Sequence, residues 1–290
     1  MDVFDLDAGV PRRPIIPLLY KIARWTLVAF VVFSTLFFAW AHAFSTIRWN
    51  EDYEQAGCAR RNSCFCERIN NDSFCRQRSN AWSSLSFSFV GAWMLYDYTK
   101  HLTGNGKDSI QLLNMGMMAI ISIILGTGSY LYHATLTLLG ERADGLGMHF
   151  IGLYLAVFSI VRLFKAIADV YKFKMNLHLN FALVFYPLFI LVTIANILKA
   201  RWGKLTWIIM GGEIAVVFVA EAITSYIRQK RPSDYYLLAA TAFVASYIMW
   251  NLDVHDIICY PTSLFQGHAI WHIGLAVSVW SLYSLYSNDE

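Results

Sequence analysis

The sequence predicts an all-α integral membrane protein, built from transmembrane helices with no sizeable water-soluble domain. Of its 290 residues, 57% are hydrophobic and 15% are charged, whereas about a quarter of the residues in soluble domains are charged. The mean hydropathy is +0.44. The apolar residues gather in stretches of about 20, the length at which a helix crosses a bilayer core. This composition excludes a water-soluble globular protein.

Eight segments have the length and apolar character of a membrane span. They are 25–44, 82–98, 110–136, 144–165, 179–199, 204–227, 235–251 and 266–287. The first could instead be a signal peptide, but it follows a 24-residue polar head and precedes FSTIRWNEDY rather than a small-residue cleavage site. We therefore expect 25–44 to be a retained anchor helix.

The distribution of Lys and Arg predicts that the N-terminus is cytoplasmic, because short basic loops stay on that side of the membrane. The segments that would then be cytoplasmic carry most of the basic residues outside the spans. The long loop 45–80 adds six arginines to the opposite side. They reduce the difference in basic residues between the two sides, although long loops translocate with less regard to charge.

The predicted spans divide the chain into four parts. A cytoplasmic segment, 1–24, precedes the anchor helix 25–44. A Cys-rich extracytoplasmic loop, 45–80, then leads into a core of seven helices, 81–287.

This orientation places all five cysteines on the extracytoplasmic side, where disulfides can form. They are Cys58, Cys64, Cys66, Cys75 and Cys259. A zinc site is the alternative, because Cys64-Phe-Cys66 is compact, but the spacing is not that of a zinc finger. Disulfides are the favoured interpretation.

The last predicted helix opens with a pair of histidines, His268 and His272. Residues four apart lie on one helix face, so these two imidazoles could hold one metal ion. A catalytic zinc usually takes three protein ligands, and His133 is the natural third, because the predicted topology brings the end of its helix to the same membrane level. The alternative is a pair of interfacial histidines without a metal.

Two oxygen-bearing side chains accompany His133. Ser129 lies one helical turn before it and shares its face, although a serine in a membrane helix more often bonds to its own backbone. Asp144 opens the predicted helix 144–165, where it is either an N-terminal cap or a base that accepts a proton from a zinc-bound water.

These residues form a pattern that resembles a known superfamily. Ser129-Tyr-Leu-Tyr-His133, then Asp144, then His268-Ala-Ile-Trp-His272 is similar to the motif set of the membrane hydrolases that include alkaline ceramidases, adiponectin-receptor-like proteins and GPI-lipid remodelling proteins.

Two further stretches resemble alkaline ceramidases in particular. They are Trp250-Asn-Leu-Asp253 followed by Cys259, and Phe65-Cys66-Glu67 followed by Asn80-Ala-Trp-Ser83. The resemblance covers about residues 64–287 and leaves the N-terminal helix outside it.

The resemblance implies a seven-helix hydrolase that cleaves the amide bond of a ceramide-like membrane lipid. It assigns a zinc ion to His133, His268 and His272. It places Ser129 and Asp144 beside the zinc-bound water, which zinc would make acidic and from which Asp144 would take the proton. Ser129 would stabilise the oxyanion. The bilayer is then the partner, and no nucleic acid is expected.

The resemblance also implies a disulfide between Cys66 and Cys259, which leaves at most one further pair among the other three cysteines. It supports calcium binding only weakly. Glu67 matches one position of the acidic calcium site, which also contacts the lipid head group in that family, but Cys64 replaces an aspartate and a later glutamate falls near Arg78.

Two other functions remain open at this point. One is another lipid hydrolase, such as a phospholipase that remodels GPI lipids, and the other is a receptor-like protein with structural zinc. Trp250-Asn-Leu-Asp253 favours the ceramidase interpretation. A eukaryotic source would place the protein in the endoplasmic reticulum or Golgi membrane, with the active site on the extracytoplasmic side.

Overall fold

A computed structural model of the chain is all-helical over the residues that it describes. These are 53–60, 64–102, 109–173 and 203–288, together with the single positions 36, 49, 187, 188, 190, 191 and 194. The helices are α1 (Gly57–Arg60), α2 (Arg78–Leu102), α3 (Ser109–Thr135), α4 (Leu138–Tyr171), α5 (Gly203–Ile227), α6 (Asp234–Val254) and α7 (Gly267–Asn288).

Five of these helices are long and apolar enough to cross a membrane. They are α3 to α7, with qualifying stretches Gln111–Thr135, Leu138–Tyr171, Ile208–Ile227, Asp234–Val254 and Gly267–Asn288. The predicted span 82–98 lies within α2, whose many Ser residues and charged C-terminal end lower its hydropathy. The predictions for 25–44 and 179–199 lie outside the described residues.

The described helices pack as a bundle. Neighbours in the chain pack against each other from α2 to α5, and α7 packs on α6 and returns against α2 and α3. The interior between them holds one large apolar cluster. Its largest fully buried members include Phe87, Met94, Met115, Met118, Leu125, Tyr154, Tyr283 and Tyr286.

The loop before α2 closes the C-terminal end of α3. The last carbonyls of a helix lack partners within it, and here the loop supplies them. The backbone N–H groups of Ala56, Arg76 and Gln77 donate to the carbonyls of Leu136, Ala134 and His133. The end of α3, where His133 lies, is therefore fixed by main-chain hydrogen bonds.

Two disulfides tie down the same loop, which confirms the favoured interpretation of the cysteines. Cys58 is bonded to Cys64, and Cys66 is bonded to Cys259, the pair that the resemblance implies. Cys75 is left as a buried free thiol. Burial raises its pKa to about 12, so the thiol stays protonated and unreactive near neutral pH.

The start of α4 corrects one prediction. Thr137 is the N-cap, and its hydroxyl accepts a hydrogen bond from the N–H of Gly140. The helix begins at Leu138, so Asp144 lies almost two turns inside it. The cap interpretation of Asp144 is therefore wrong.

Candidate metal centre

Three buried histidines meet at one end of the bundle. His133 comes from the last turn of α3, and His268 and His272 come from the first two turns of α7. One ring nitrogen from each lies within 4.8 Å of the other two. The Nε2 atoms of His133 and His268 are 3.2 Å apart.

Gln77 fixes the tautomer of His133. The amide nitrogen of Gln77 donates to the backbone carbonyls of Cys64 and Glu67, which identifies the other amide atom, Oε1, as the acceptor. That oxygen lies 3.0 Å from Nδ1 of His133. Nδ1 therefore carries the proton, and Nε2 presents its lone pair to the centre.

Ser83 fixes the tautomer of His272 in the same way. Its hydroxyl has a single proton, which it donates to the carbonyl of Asn80 at 3.0 Å. The same oxygen lies 2.9 Å from Nδ1 of His272, so it accepts from that nitrogen. Nε2 of His272 is again the atom with a free lone pair.

The position of the His268 ring is set by Phe65 and Asp253. The Phe65 ring stacks on it with a centroid separation of 3.6 Å and an interplanar angle of 21°. The carboxylate of Asp253 accepts from the backbone N–H of His268 at 3.1 Å and from the N–H of Cys66 at 3.0 Å. One carboxylate thus joins the loop to the first turn of α7.

The arrangement fits a tetrahedral metal ion. Zinc lies about 2.0–2.1 Å from imidazole nitrogens, so two ligands of one tetrahedral ion are about 3.3 Å apart, close to the His133–His268 separation. The donor set of three neutral imidazoles is one that zinc accepts.

Ser129 and Asp144 lie at the same cavity as two of the three histidines. Ser129 is buried in α3, Asp144 is partly buried in α4, and both line the cavity with His268 and His272. The two helices approach closely here, because a Cβ on Gly128 would lie only 2.9 Å from the carbonyl oxygen of Ala143. Gly128 therefore allows the helices that carry Ser129 and Asp144 to pack closely beside the cavity.

The cavity has a volume of about 630 Å³ and extends from the histidines into the bundle. Its lining comes from α2 to α7 and is mostly aliphatic or aromatic. Representative residues are Leu125, Met148, Ile214, Phe218, Phe243 and Leu275. Such a surface accommodates hydrocarbon chains.

Glu67 is placed as a helix cap. Its two carboxylate oxygens accept from the backbone N–H groups of Ser79 and Asn80 at 2.7 and 2.9 Å, at the start of α2. Burial raises its pKa, and these hydrogen bonds act in the opposite direction. Cys64 is committed to a disulfide with Cys58, so the residues present do not fit an acidic calcium site.

Sequence reasoning assigned no role to four residues that hold the histidines. No motif in the sequence marked Gln77 as a functional residue. Ser83, Asp253 and Phe65 lie within the stretches quoted for the resemblance, but nothing in the sequence links them to particular imidazoles. The contact of Gln77 with His133 spans 56 residues of sequence, and that of Ser83 with His272 spans 189, so only the fold reveals them.

Comparison with known proteins agrees with this geometry. The sequence profile of the Ceramidase family matches residues 65–288. A relative from Dictyostelium discoideum, named "Putative alkaline ceramidase dcd3A", is 26% identical over 234 residues, which span 70% of this chain and 77% of the relative. The matched region contains all of α2 to α7 and every residue of the histidine cluster. The chain belongs to the ceramidase family.

Proposed function

We propose that the chain is a zinc-dependent intramembrane amidohydrolase that cleaves ceramide to a sphingoid base and a free fatty acid. Membership of the ceramidase family supports hydrolysis of such a lipid. The observation that carries the proposal is the set of three imidazoles, two with Nε2 lone pairs fixed by neighbours, beside an apolar cavity that His268 and His272 line.

His133, His268 and His272 would hold the zinc. When bound, zinc supplies a Lewis acid that polarises a carbonyl and lowers the pKa of a bound water toward about 7. Gln77 and Ser83 keep the ring nitrogens in the tautomer that ligation requires.

Asp144 is the proposed general base and acid. Its carboxylate accepts the proton of the attacking water and then delivers it to the amide nitrogen, as the new C–O bond forms and the C–N bond breaks. The hydroxyl of Ser129 donates a hydrogen bond to the oxyanion that develops on the carbonyl. Both side chains line the cavity from facing helices.

The apolar walls bind the two hydrocarbon chains and exclude bulk water. Exclusion of water strengthens each electrostatic interaction at the reacting amide, because the local dielectric constant falls. The orientation of the lipid follows, with the amide at the histidines and the chains extending toward Phe218 and Phe243.

We also propose the topology inferred from the sequence: a seven-helix core completed by 179–199, preceded by the anchor helix 25–44. The N-terminus is cytoplasmic and the histidines face the extracytoplasmic side, in the endoplasmic reticulum or Golgi membrane of a eukaryotic cell. The two disulfides support an oxidising environment for the loop.

The test is turnover and metal content measured on one sample. Purified protein in lipid nanodiscs receives ceramide, a glycerophospholipid and a GPI lipid, and mass spectrometry identifies the products. We expect fatty acid and sphingoid base from ceramide alone. The His272→Ala variant is expected to lose both zinc and turnover, because a ligand set of two imidazoles is incomplete.

Other outcomes would replace the proposal. Fatty acid released from the GPI lipid or the glycerophospholipid, with ceramide intact, would indicate the phospholipase alternative. One equivalent of zinc without turnover of any lipid would indicate a structural metal and a receptor-like role. Full zinc retained by His272→Ala would refute the assignment of the ligands.

A further inference from the structure

A second carboxylate lines the cavity beside Asp144. Glu141 lies in the first turn of α4, is partly buried, and forms part of the cavity wall. It is three positions before Asp144, so the two side chains share one face of the helix. Among the described residues that line the cavity, these two are the acids. The chemistry described above uses only Asp144.

The first turn of α4 is held in place from two sides. The backbone N–H of Gly57 donates to Oε2 of Glu141 at 3.1 Å, and Gly57 precedes Cys58, which is anchored by a disulfide. On the other side, a Cβ on Gly140 would lie 2.8 Å from the Cα of Tyr132, so α4 packs directly on the backbone of α3. The backbone and one carboxylate oxygen of Glu141 are therefore fixed.

The second carboxylate oxygen of Glu141 distinguishes it from other acids of the bundle. Over the residues that the structure describes, Oε1 of Glu141 accepts no hydrogen bond. Both oxygens of Glu67 accept from the start of α2, and both oxygens of Glu221 accept from Arg162. Glu141 thus retains an acceptor for a ligand in the cavity.

The proposed reaction produces a cation beside these two carboxylates. Hydrolysis of an amide yields a carboxylic acid and a primary amine, and the proton of the acid moves to the amine. Aliphatic amines are protonated near neutral pH, as the side chain of Lys is. The amine nitrogen is the former amide nitrogen, so it starts beside Asp144. An unpaired charge in an apolar cavity is costly, so the ammonium needs an anionic partner.

The direction of α4 places Glu141 on the loop side of Asp144. Three residues of helix correspond to about 4.5 Å along the axis, and the N-terminal end of α4 is the end that the Cys-rich loop contacts. A sphingoid head group carries its amine and hydroxyls on adjacent carbons, so it spans a similar distance. Asp144 at the amide and Glu141 next to it toward the loop therefore match the size of the head group.

We propose that Glu141 binds the ammonium group of the sphingoid base as the base is released. Its Oε1 accepts a charge-assisted hydrogen bond from the ammonium, while Oε2 stays bonded to Gly57. The amine product should then inhibit the enzyme more strongly than a neutral lipid of the same shape. This inference rests on the proposed ceramide hydrolysis and adds a product-binding residue to the same site.

The experiment measures how two added lipids inhibit ceramide hydrolysis in nanodiscs. One is a sphingoid base, and the other is the diol of equal chain length that lacks the amine. The readout is the inhibition constant of the diol divided by that of the amine. The two lipids differ in partitioning to the same extent for every variant, and a variant that folds in lower yield gives the same ratio.

We expect the native ratio to be about tenfold or more, the scale of one hydrogen bond to a charged group. Glu141→Gln should lower the ratio by about tenfold, because the amide is neutral, yet it keeps an oxygen that accepts from Gly57. Glu141→Asp keeps the charge and should retain part of the ratio. The matched control is Glu54→Gln, which removes a negative charge from an exposed residue whose backbone carbonyl accepts from Leu138 of α4. This control should leave the ratio unchanged.

The outcomes separate this inference from the proposed function. A native ratio near one, or equal ratios in the native protein and Glu141→Gln, would overturn the role of Glu141, while ceramide hydrolysis itself would stand. A ratio lowered equally by Glu54→Gln would also overturn it, because the effect would then come from the overall charge of the loop end. If the native protein does not hydrolyse ceramide, the proposed function fails and this inference fails with it.

Discussion

Two imidazoles of the candidate centre, His133 and His272, are each held by a contact that leaves one ring nitrogen for a metal ion. Gln77 is itself immobilised, since its amide nitrogen donates to two loop carbonyls while its oxygen accepts from His133. Partners of this kind orient metal ligands, and their loss typically reduces metal affinity or activity 10- to 100-fold. The loop before α2 is therefore part of the metal centre.

A substitution at Asp144 can test its catalytic role separately from any structural role. Asp144→Asn preserves the shape of the side chain but removes its basicity. Because Thr137 caps α4, we expect the helix and the zinc content to be unchanged. Turnover should fall by at least about 10²-fold, the scale of general acid–base catalysis. Steady-state kinetics with metal analysis checks this, and unchanged turnover would remove Asp144 from the mechanism.

The hydrogen bonds of Glu67 predict that neither activity nor stability depends on calcium. Its carboxylate oxygens are already occupied by the N–H groups of Ser79 and Asn80. We expect that a calcium-selective chelator leaves activity unchanged, whereas a zinc chelator abolishes it. Added Ca²⁺ should not shift the thermal transition, measured by a dye-free fluorescence melt. A rise in Tm with Ca²⁺ that disappears in Glu67→Gln would contradict the capping role.

At the residue scale, sequence reasoning found the residues whose chemical type stands out in a membrane helix. His133, His268 and His272 are costly there, and their spacing places His268 and His272 on one face. It found none of the interactions that select their tautomers. Gln77 and Ser83 are ordinary polar residues at the edge of a helix, and only the return of α7 against α2 brings Ser83 to His272.

At the scale of the helix, hydropathy predicts which segments are helical better than where they end. The predicted span 144–165 is helix α4, which extends over Leu138–Tyr171. Its first turns contain Glu141 and Arg142, which a hydropathy criterion assigns to a loop. A helix can extend past the bilayer core into water, and a cap such as Thr137, rather than the membrane boundary, sets its first residue.

Acidic residues also hold helix N-termini in this fold. Glu67 accepts from the first turn of α2, and Asp253 accepts from the first turn of α7. A carboxylate complements both the unpaired N–H groups and the positive end of the helix dipole. Since His268 is the second residue of α7, the cap that stabilises this helix also positions a proposed metal ligand.

Because α3 and α4 approach closely at Gly128, a larger side chain at that position should push the two helices apart. Gly128→Ala would place a Cβ 2.9 Å from a backbone oxygen of Ala143, which cannot move as a flexible side chain can. We expect the helices to separate, at a cost of about 1–3 kcal/mol. Turnover should fall because Ser129 and Asp144 move apart. Thermal melts and steady-state kinetics measure the two effects.

The matched control for that substitution is Gly212→Ala in α5. No atom of the described residues lies within 4 Å of a Cβ at this position, and alanine is the better helix former by about 1 kcal/mol. We expect the control to melt at the same or a higher temperature. If both variants behave alike, the close approach at Gly128 does not determine the geometry of the site.

At the scale of the whole molecule, the active end is assembled from parts far apart in the chain. The loop around Cys66, the end of α3 and the start of α7 meet there, and each contributes a proposed metal ligand or a residue that orients one. Phe65 has a left-handed backbone with φ of 49°, a conformation that costs a non-glycine residue about 1–2 kcal/mol. The flanking disulfides at Cys64 and Cys66 hold it against His268.

The two disulfides should therefore differ in their effect on stability. The Cys66–Cys259 bond joins residues 193 apart, and the Cys58–Cys64 bond joins residues six apart. By restricting the unfolded chain, the first bond stabilises the fold by about 5 kcal/mol and the second by about 2 kcal/mol. We expect Cys66→Ser/Cys259→Ser to lower Tm much more than Cys58→Ser/Cys64→Ser, as measured in parallel melts.

Loss of the Cys66–Cys259 bond should also weaken metal binding at the candidate centre. Without it, Phe65 and the Cys66 N–H that binds Asp253 are no longer tied to the entrance of α7. Zinc affinity should fall together with Tm in the Cys66→Ser/Cys259→Ser protein, as measured by competition with a chromogenic chelator at a temperature where the bundle stays folded. Cys75→Ser is the control, because that thiol takes part in neither bond. Native zinc affinity in the double variant would show that the carboxylate of Asp253 alone is enough to position His268.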